Sequence, residues 1–266
     1  MNAPGHSMPH GHGPQDPGPN APGPRTHGTV RDLLDDDRSS AFERYRRLTF
    51  PSAGPAFVLF ELATMFLLPA GGALGLWLRR ALLRPFFGAC GRNVIIGRHC
   101  VFRHPERIFI GDSVTIDDHC LLDARGCGAQ GLRLGDHTIV SRGCSIKSKA
   151  GPIQIGRGVN IGAATQIVSH SGIVIGEAAA IAGGCHITGG TFDLAEFARP
   201  PAQRAPVSQG PIEIGAGAWL ATNVTVVDAV RIGEGAVVSA GSVVTQSVAP
   251  RTVVQGNPAK KVFSIP

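Results

Sequence analysis

The stretch Ile155–Gly172, IGRGVN IGAATQ IVSHSG, decides the fold. Every six positions it repeats an aliphatic residue that is followed by Gly or another small residue. The same pattern returns at Ile214, where the chain reads IGAGAW LATNVT VVDAVR IGEGAV VSAGSV VTQSVA. A self-similar period this short is typical of a solenoid. We expect three hexads to form one triangular coil, with aliphatic side chains inward on the flat faces and small, Asn, Asp or Gly residues at the corners.

Four Ile-Gly pairs set the expected coil length. They begin at Ile155, Ile175, Ile214 and Ile232. The first and last intervals are close to three hexads, whereas the middle interval is about twice as long. The spacing predicts coils of three hexads with one insertion. That insertion is ITGGTFDLAEFARPPAQRAPVSQGP, in which residues 188–211 are expected to form a protruding arm that reaches across a cleft or to a neighbouring chain.

Composition narrows the possible functions. The chain has 266 residues, of which 43% are apolar and only 6% aromatic, so we expect a core of Val, Ile and Ala. The net charge is +6, but the basic residues are dispersed and there is one Tyr, which disfavours a base-stacking nucleic-acid surface. The six cysteines show no C-x-x-C spacing and follow no secretory signal, which disfavours disulfides and structural zinc and predicts a cytoplasmic protein.

Two segments precede the repeats. Residues 1–28 are rich in Gly, Pro and His, so a disordered, solvated tail is expected rather than a metal site. Residues 29–90 are expected to be helical, beginning with short amphipathic helices. The apolar run over residues 55–87 is divided by Pro69, Gly71 and Gly72 into pieces too short to cross a bilayer, which needs about 20 residues.

That apolar run has two interpretations. Two short apolar helices followed by Arg79, Arg80 and Arg84 suit a hairpin in the membrane interface, on the anionic cytoplasmic side. The same helices could instead cap the open end of the repeat domain.

The chain from about residue 91 to residue 262 resembles the left-handed parallel β-helix hexapeptide-repeat acyltransferases. The likeness is strongest in IEIGAGAWLATNVTVVDAVRIGEGAVVSAGSVVTQSVAPRTVVQGNPAKKV, which is similar to bacterial sugar and exopolysaccharide O-acetyltransferases. The resemblance implies a mainly β fold, a homotrimer, and acetyl-coenzyme A held between neighbouring β-helices, with no metal. It implies a sugar or glycan hydroxyl as acceptor, which the membrane hypothesis extends to a lipid-linked glycan.

The resemblance also implies a cofactor groove. It places Trp219 along the pantetheine arm, with an alternative role for Trp219 in packing at the trimer interface. The other implied groove residues are Thr222, Ala240, Thr245, Lys260 and Lys261, the two lysines meeting the 3′-phosphate end of coenzyme A. Gln246 stands where the family commonly has Lys.

The general base is harder to assign, because relatives carry a histidine where the arm leaves the coil. Here that position holds Gly190 or Phe192, neither of which can accept a proton. The sequence offers three substitutes: His186, expected to point outward near the root of the arm; Asp193, within the arm; and His170, one coil earlier, which stacking is expected to bring near His186. An ordinary exterior position for His186 is the alternative.

Two other functions fit the same repeat. One is a β-helix scaffold that trimerises without catalysis, which the missing histidine suggests. The other is a zinc enzyme resembling γ-class carbonic anhydrases, for which His99 and His104 have the H-x4-H spacing. His119 and His137, three hexads apart, are expected to stack at exterior corners. The acyltransferase is the leading interpretation.

Overall fold

The computed structural model of the protein describes residues 40–51, 54–192, 200, 204 and 206–266. The tail of residues 1–28 and the candidate base Asp193 lie outside these residues. The predicted left-handed parallel β-helix is confirmed, with about seven coils built on three flat faces.

Each coil contributes one short strand to each face. The first face contains β1 (Ala89–Cys90), β4 (Ile108–Ile110), β7 (Leu132–Leu134), β10 (Ile153–Ile155), β13 (Ile173–Ile175), β18 (Ile212–Ile214) and β21 (Arg231–Ile232). The second face contains β2 (Ile95–Ile96), β5 (Thr115–Ile116), β8 (Ile139–Val140), β11 (Asn160–Ile161), β14 (Ala180–Ile181), β19 (Trp219–Leu220), β22 (Val237–Val238), β24 (Thr252–Gly256) and β25 (Ala259–Ser264). The third face contains β3 (Val101–Arg103), β6 (Leu121–Asp123), β9 (Ser145–Ser148), β12 (Gln166–Ser169), β15 (His186–Thr188), β20 (Thr225–Val226) and β23 (Val243–Val244).

The hexad explains how the faces and corners form. Its aliphatic residue points inward, so Ile155, Ile175 and Ile214 are each no more than 3% exposed and follow one another along the first face. The next position needs Gly at the first corner, between the first and second faces, because a Cβ on Gly176 would lie 2.5 Å from the backbone N of Ala216. The fourth position turns the chain in the left-handed region, where Gly217 has φ +61°.

The prediction that every coil contains three hexads is wrong, because most coils are longer. Gln154 pairs with Val174, two positions more than three hexads along the chain. The last complete coil, in which Glu213 pairs with Arg231, has the predicted length. The first corner and the second corner, between the second and third faces, keep four residues between strands in each coil. The additional residues lie at the third corner, between the third and first faces, where 3-10 helices occupy Pro105–Arg107 and Gly128–Gln130.

The insertion also leaves from this third corner. After β15 the chain forms β16 (Thr191–Phe192), which pairs antiparallel with β17 (Pro206–Val207) as the chain returns to β18. The variable corner is therefore where the solenoid accepts an arm, because the next coil can resume its register beyond it: Ile173 pairs with Ile212.

Three helices cover the first coil: α1 (Ala41–Thr49), α2 (Pro55–Leu67) and α3 (Gly72–Leu82), followed by a 3-10 turn at Arg84–Phe86. Ser40 caps α1 by accepting a hydrogen bond from the backbone N of Glu43 at 3.1 Å. Phe57 and Phe60 on α2 are buried in the same core as the first strands. Arg79 is 4% exposed and its Nε donates to the carbonyl of Ile96 at 2.8 Å, which attaches α3 to the second face.

The outer surface of these helices remains apolar. On α2 and α3, eight large apolar side chains are between 48% and 69% exposed, namely Val58, Leu59, Leu62, Met65, Phe66, Leu74, Trp77 and Leu82. Among the residues that the structure describes, no helix has the length and apolar character needed to cross a membrane. The helices thus cap the β-helix with one side and expose a hydrophobic surface on the other.

Candidate functional site

The base of the arm is held by one carboxylate, that of Asp228. Its Oδ1 accepts hydrogen bonds from the backbone N of Gly190 and from Oγ of Ser208, both at 2.8 Å, and its Oδ2 accepts one from the backbone N of Gln209 at 2.6 Å. Gly190 begins the arm, whereas Ser208 and Gln209 end it. Asp228 lies at the third corner of the following coil, so it joins the outgoing and returning chain to that coil.

The preceding coil holds the arm as well. Oγ of Ser171 lies 2.8 Å from Oγ of Ser208 and donates to the carbonyl of Gly210 at 2.7 Å. Neither Asp228 nor Ser171 was predicted from the sequence. A signal was available, since both stand at third-corner positions in the coils adjoining the insertion, where a polar side chain can satisfy the backbone of an arm.

His170 lies at this same base, next to Ser171. A Cβ placed on Gly190, whose φ is +84°, would lie 2.5 Å from Cγ of His170, so the imidazole packs directly against this glycine. Burial, followed by the positive charge of Lys149, lowers the pKa of His170, while the charge of Asp228 acts to raise it. The half-buried imidazole is therefore neutral at pH 7 and able to accept a proton.

His186 occupies a different environment. It begins β15 on the third face, where it pairs with Gln166 below and Thr225 above, and its side chain is exposed. His170 lies four residues beyond Gln166, which at roughly 3.3 Å per residue separates the two histidines by about 13 Å along the strand. They lie on opposite edges of the third face, so stacking does not bring them together as the sequence analysis expected.

Gly190 and Phe192, which stand at the start of the arm where relatives carry a histidine, have no side chain that can accept a proton. Phe192 is 41% exposed in β16 and pairs with Pro206. Gly190 contributes only its backbone N, which Asp228 binds. Of His170 and His186, the two candidate bases that the structure describes, His170 is the one that packs against the base of the arm.

Most of the residues assigned to the cofactor groove lie at the C-terminal end. Trp219 is 52% exposed on the second face, between Ala180 and Val237 of the neighbouring coils. Thr222 follows at the second corner, and the backbone N of Gly241 donates to its carbonyl at 2.9 Å. Ala240 precedes Gly241, so Thr222 and Ala240 are exposed at the same corner of successive coils.

The terminal hairpin of β24 and β25 reaches this corner too. The backbone N of Gly256 donates to Oγ of Ser242, the residue after Gly241, at 3.0 Å. Lys260 pairs with Gln255 across the hairpin, Lys261 pairs with Val254, and both lysines are exposed. Thr245 instead follows β23 on the third face, away from the second corner.

The zinc interpretation based on His99 and His104 does not fit the structure. His99 is exposed at the second corner, whereas His104 is buried at the third, where its Nε2 lies 2.9 Å from the carbonyl oxygen of Arg47. The strand β3 separates the two rings. Within the described ranges, no group of three or more His, Cys, Asp or Glu residues is arranged to hold a metal ion.

The expected stacking of His119 on His137 is also wrong. His119 lies at the second corner and His137 at the first. The ring of His119 stacks instead on that of His99, with centroids 5.0 Å apart. The physical reason is the coil length, because the first coils are longer than three hexads.

Comparison with protein-family models supports the repeat assignment. Residues 211–246 match the bacterial transferase hexapeptide model of six repeats, and residues 152–189 match the hexapeptide repeat of succinyl-transferase. Hexapeptide repeats therefore occupy these two segments of the chain. Both matches fall on coils of the β-helix, and the second ends at the start of the arm.

Hexapeptide-repeat relatives align over short segments. A Staphylococcus aureus (strain COL) protein, provisionally named acetyltransferase SACOL2570, is 48% identical over 56 residues, which are 21% of this chain and 28% of that protein. Serine acetyltransferase 2 of Arabidopsis thaliana is 37% identical over 110 residues, 41% of this chain and 32% of that protein. The chain therefore spans about a third or less of the length of these curated relatives.

A solved structure shares the fold of this hexapeptide-repeat chain. It is a variant of AntD, an N-acyltransferase from Bacillus cereus, in complex with dTDP and coenzyme A. The TM-score is 0.50 at 23% identity, over 69% of this chain and 87% of AntD. At this level of identity the likeness supports the β-helix architecture alone.

Proposed function

We propose that the protein is an acyltransferase that uses acetyl-coenzyme A to acetylate a hydroxyl of a sugar or glycan precursor, in exopolysaccharide or capsule biosynthesis. The observation that carries this proposal is the second corner at the C-terminal end. Thr222 and Ala240 lie there in successive coils that match the transferase repeat, and the β24–β25 hairpin follows that match and reaches the same corner. The acetyltransferase names of the relatives and the coenzyme A bound to AntD support the same chemistry.

In this proposal Trp219 and Thr222 line the pantetheine arm and Ala240 lies one coil further along the groove, while Thr245 would contact coenzyme A from the third face. Backbone and small side chains leave room for an extended chain at such a corner. Lys260 and Lys261 are exposed cations on the terminal hairpin and suit the 3′-phosphate end of coenzyme A. No metal takes part in the proposed reaction.

His170 is proposed as the general base. Its neutral imidazole takes the proton of the acceptor hydroxyl while the oxygen attacks the thioester carbonyl carbon. The new C–O bond forms, the tetrahedral intermediate collapses with cleavage of the C–S bond, and the proton passes from imidazolium to the coenzyme A thiolate. Asp228 is a positioning residue, since it holds the arm against which His170 packs. His186 and Asp193 remain the alternative bases.

A homotrimer follows from the same proposal. Within one chain, the second corner and the base of the arm lie on opposite edges of the third face. The coenzyme A groove of one subunit would therefore face His170 of a neighbouring subunit. Support comes from the second face, where one outward column of register partners contains Ile95, Thr115, Ile139, Asn160, Ala180 and Trp219. Its three large apolar members, Ile95, Ile139 and Trp219, are 43%, 43% and 52% exposed. Light scattering on the eluted protein should give three times the chain mass of 27.7 kDa.

A peripheral position on the inner face of the membrane completes the proposal. The exposed apolar side of α2 and α3 is followed by the exposed cations Arg80 and Arg84, which suit anionic headgroups. The described cysteines are all free, which suits a reducing cytoplasm. This position would bring a lipid-linked glycan to the protein.

The experiment that tests the function is thiol release from acetyl-coenzyme A. The purified protein is assayed with sugars that offer hydroxyls and with amino sugars, since AntD is an N-acyltransferase. We expect hydroxyl-dependent release, with an acetyl ester in the product by mass spectrometry. Coenzyme A binding without release across the panel would favour the scaffold instead, and release with amines alone would replace O-acetylation by N-acetylation.

A further inference from the structure

Four cations lie together where the third face meets the third corner, on the N-terminal side of His170. Arg103, Asp123 and Lys147 are register partners in β3, β6 and β9, so they project from the same face at intervals of about 4.8 Å. Arg125 follows Asp123 by two residues and Lys149 follows Lys147 by two residues, so both lie at the third corner itself. We refer to Arg103, Arg125, Lys147 and Lys149 as the basic column.

The basic column is only partly neutralised. Asp123 is 2% exposed, and Nε of Arg125 donates to its two carboxylate oxygens at 2.8 and 3.0 Å, so this carboxylate is committed to one guanidinium. In the described part of the chain, no carboxylate lies within 4.0 Å of a charged nitrogen of Arg103, Lys147 or Lys149. Burial, followed by repulsion from Arg125, lowers the pKa of Lys149, although Asp123 acts to raise it.

The basic column is continuous with the candidate active site. Ser148 pairs with Ser169, so Lys149 and His170 occupy equivalent positions in successive coils, about 4.8 Å apart along the axis. The charge of Lys149 is also one of the causes that lower the pKa of His170. An anion held by Lys147 and Lys149 would therefore lie beside the proposed base, away from the second corner assigned to coenzyme A.

The column also begins under the helical cap. The backbone N of His104, the residue after Arg103, donates to the carbonyl of Thr49 at the end of α1 at 2.8 Å. The cations thus extend from the coil covered by the helices, whose outer side is apolar, toward the base of the arm.

We propose that the basic column binds the phosphate or diphosphate of the acceptor. This inference rests on the proposed function, since it assigns the substrate class of that site. Arg103, Lys147 and Lys149 have no carboxylate partner among the described residues, so they supply enough positive charge to balance the two negative charges of a diphosphate diester. Arg and Lys are the side chains that bind such anions by charge-assisted hydrogen bonds. A diphosphate can be carried by a nucleotide sugar or by a lipid-linked sugar, and both sources share this chemistry.

The test is calorimetric titration of inorganic diphosphate into the full-length protein, alone and saturated with coenzyme A. We expect binding in both cases, because the two anion sites are separate. The double variant Lys147→Gln/Lys149→Gln should weaken diphosphate binding by about 10-fold or more, the loss expected for one charge-assisted hydrogen bond. The matched control Lys260→Gln/Lys261→Gln should keep diphosphate binding and weaken that of coenzyme A.

The outcomes separate this inference from the proposed function. Diphosphate that fails to bind the wild type, or binds the Lys147→Gln/Lys149→Gln protein equally well, overturns the inference, while coenzyme A binding and thiol release still report on the function. Arg103→Gln gives a second, independent variant, and thermal melting checks that each protein is folded. Titrations of UDP and of geranyl diphosphate then identify the carrier. Tighter binding of UDP would indicate a nucleotide sugar, and tighter binding of geranyl diphosphate a lipid-linked sugar.

Discussion

At the scale of single residues, the position of His170 in the fold determines the burial and the pKa of its imidazole. From the sequence, His170 was one of three candidate bases with His186 and Asp193, because periodicity cannot report which ring packs against Gly190. The fold brings Gly190 above His170 only because the arm leaves at the third corner. The half-buried ring then has a lowered pKa, whereas His186 stays on an exposed face.

This environment predicts the pH dependence of the reaction. Because the pKa of His170 is below the ordinary imidazole value of about 6.5, the base stays neutral and active at pH 6.5, and activity is lost only as the pH falls through the lowered pKa. The acid limb of kcat/KM should therefore lie below pH 6.5. A limb at or above pH 6.5 would point to another base. His186→Gln should leave the position of the limb unchanged.

The first-corner glycines give a residue-scale test of the fold. A Cβ on Gly215 would lie 2.5 Å from the backbone N of Glu234, whereas one on Gly217 would meet open space. Gly217 does have φ +61°, but Ala164 and Ala178 adopt nearly the same conformation in other coils. Gly215→Ala should therefore cost about 3 kcal/mol through overpacking, and Gly217→Ala about 1 kcal/mol.

Urea denaturation of the two alanine variants measures this difference. Both replace a glycine of the same hexad, so the effect on the unfolded chain is matched. Equal losses of unfolding free energy would show that the glycine requirement comes from backbone conformation and not from the approach of the next coil.

At the scale of elements, the arm depends on Asp228. Removing its carboxylate leaves the backbone N of Gly190 and of Gln209 without their acceptor. In Asp228→Ala we expect amide exchange at these two positions to be about 10- to 100-fold faster, with the β-helix amides unchanged. Asp228→Asn keeps one acceptor oxygen and should give an intermediate effect. Unchanged exchange in the alanine variant would mean that other contacts hold the arm.

The strands and corners of the β-helix were predictable from the sequence only in part. The hexads around Ile155 and Ile214 predicted the solenoid and the position of the insertion, because inward aliphatic residues and corner glycines are local requirements. Coil length was not predictable in the same way. The third corner tolerates additional residues without disturbing the register of Ile153 with Leu132, so nothing in the repeat fixes its length.

The candidate site was predictable only in part. The C-terminal block carries its own pattern, which allowed Trp219, Thr222 and Ala240 to be proposed from the sequence. The base of the arm combines His170, Gly190 and Asp228 from three coils, and no short pattern connects residues so far apart in the chain. Side chains that meet through stacking can be found only when the coil lengths are known.

At the scale of the whole molecule, the helical cap and the β-helix present different surfaces. The proposed membrane contact predicts that the protein floats with anionic vesicles and less with neutral ones. Leu59→Glu/Phe66→Glu places charges on the exposed apolar side of α2 and should abolish flotation. Val174→Glu, at a 46% exposed position on the first face, is the matched control and should float like the wild type. Equal flotation of all three proteins would remove the proposed contact.

Two corners of the β-helix have separate tasks in this proposal: the second corner, at the C-terminal coils, binds coenzyme A, and the third corner, at the base of the arm, supplies the proton acceptor. The most direct test measures both on one sample of His170→Ala, by calorimetric titration of coenzyme A and by acetyl transfer at saturating acetyl-coenzyme A. We predict an unchanged dissociation constant and turnover lower by about 100-fold or more, the usual contribution of a general base. Turnover equal to that of the wild type would contradict the account.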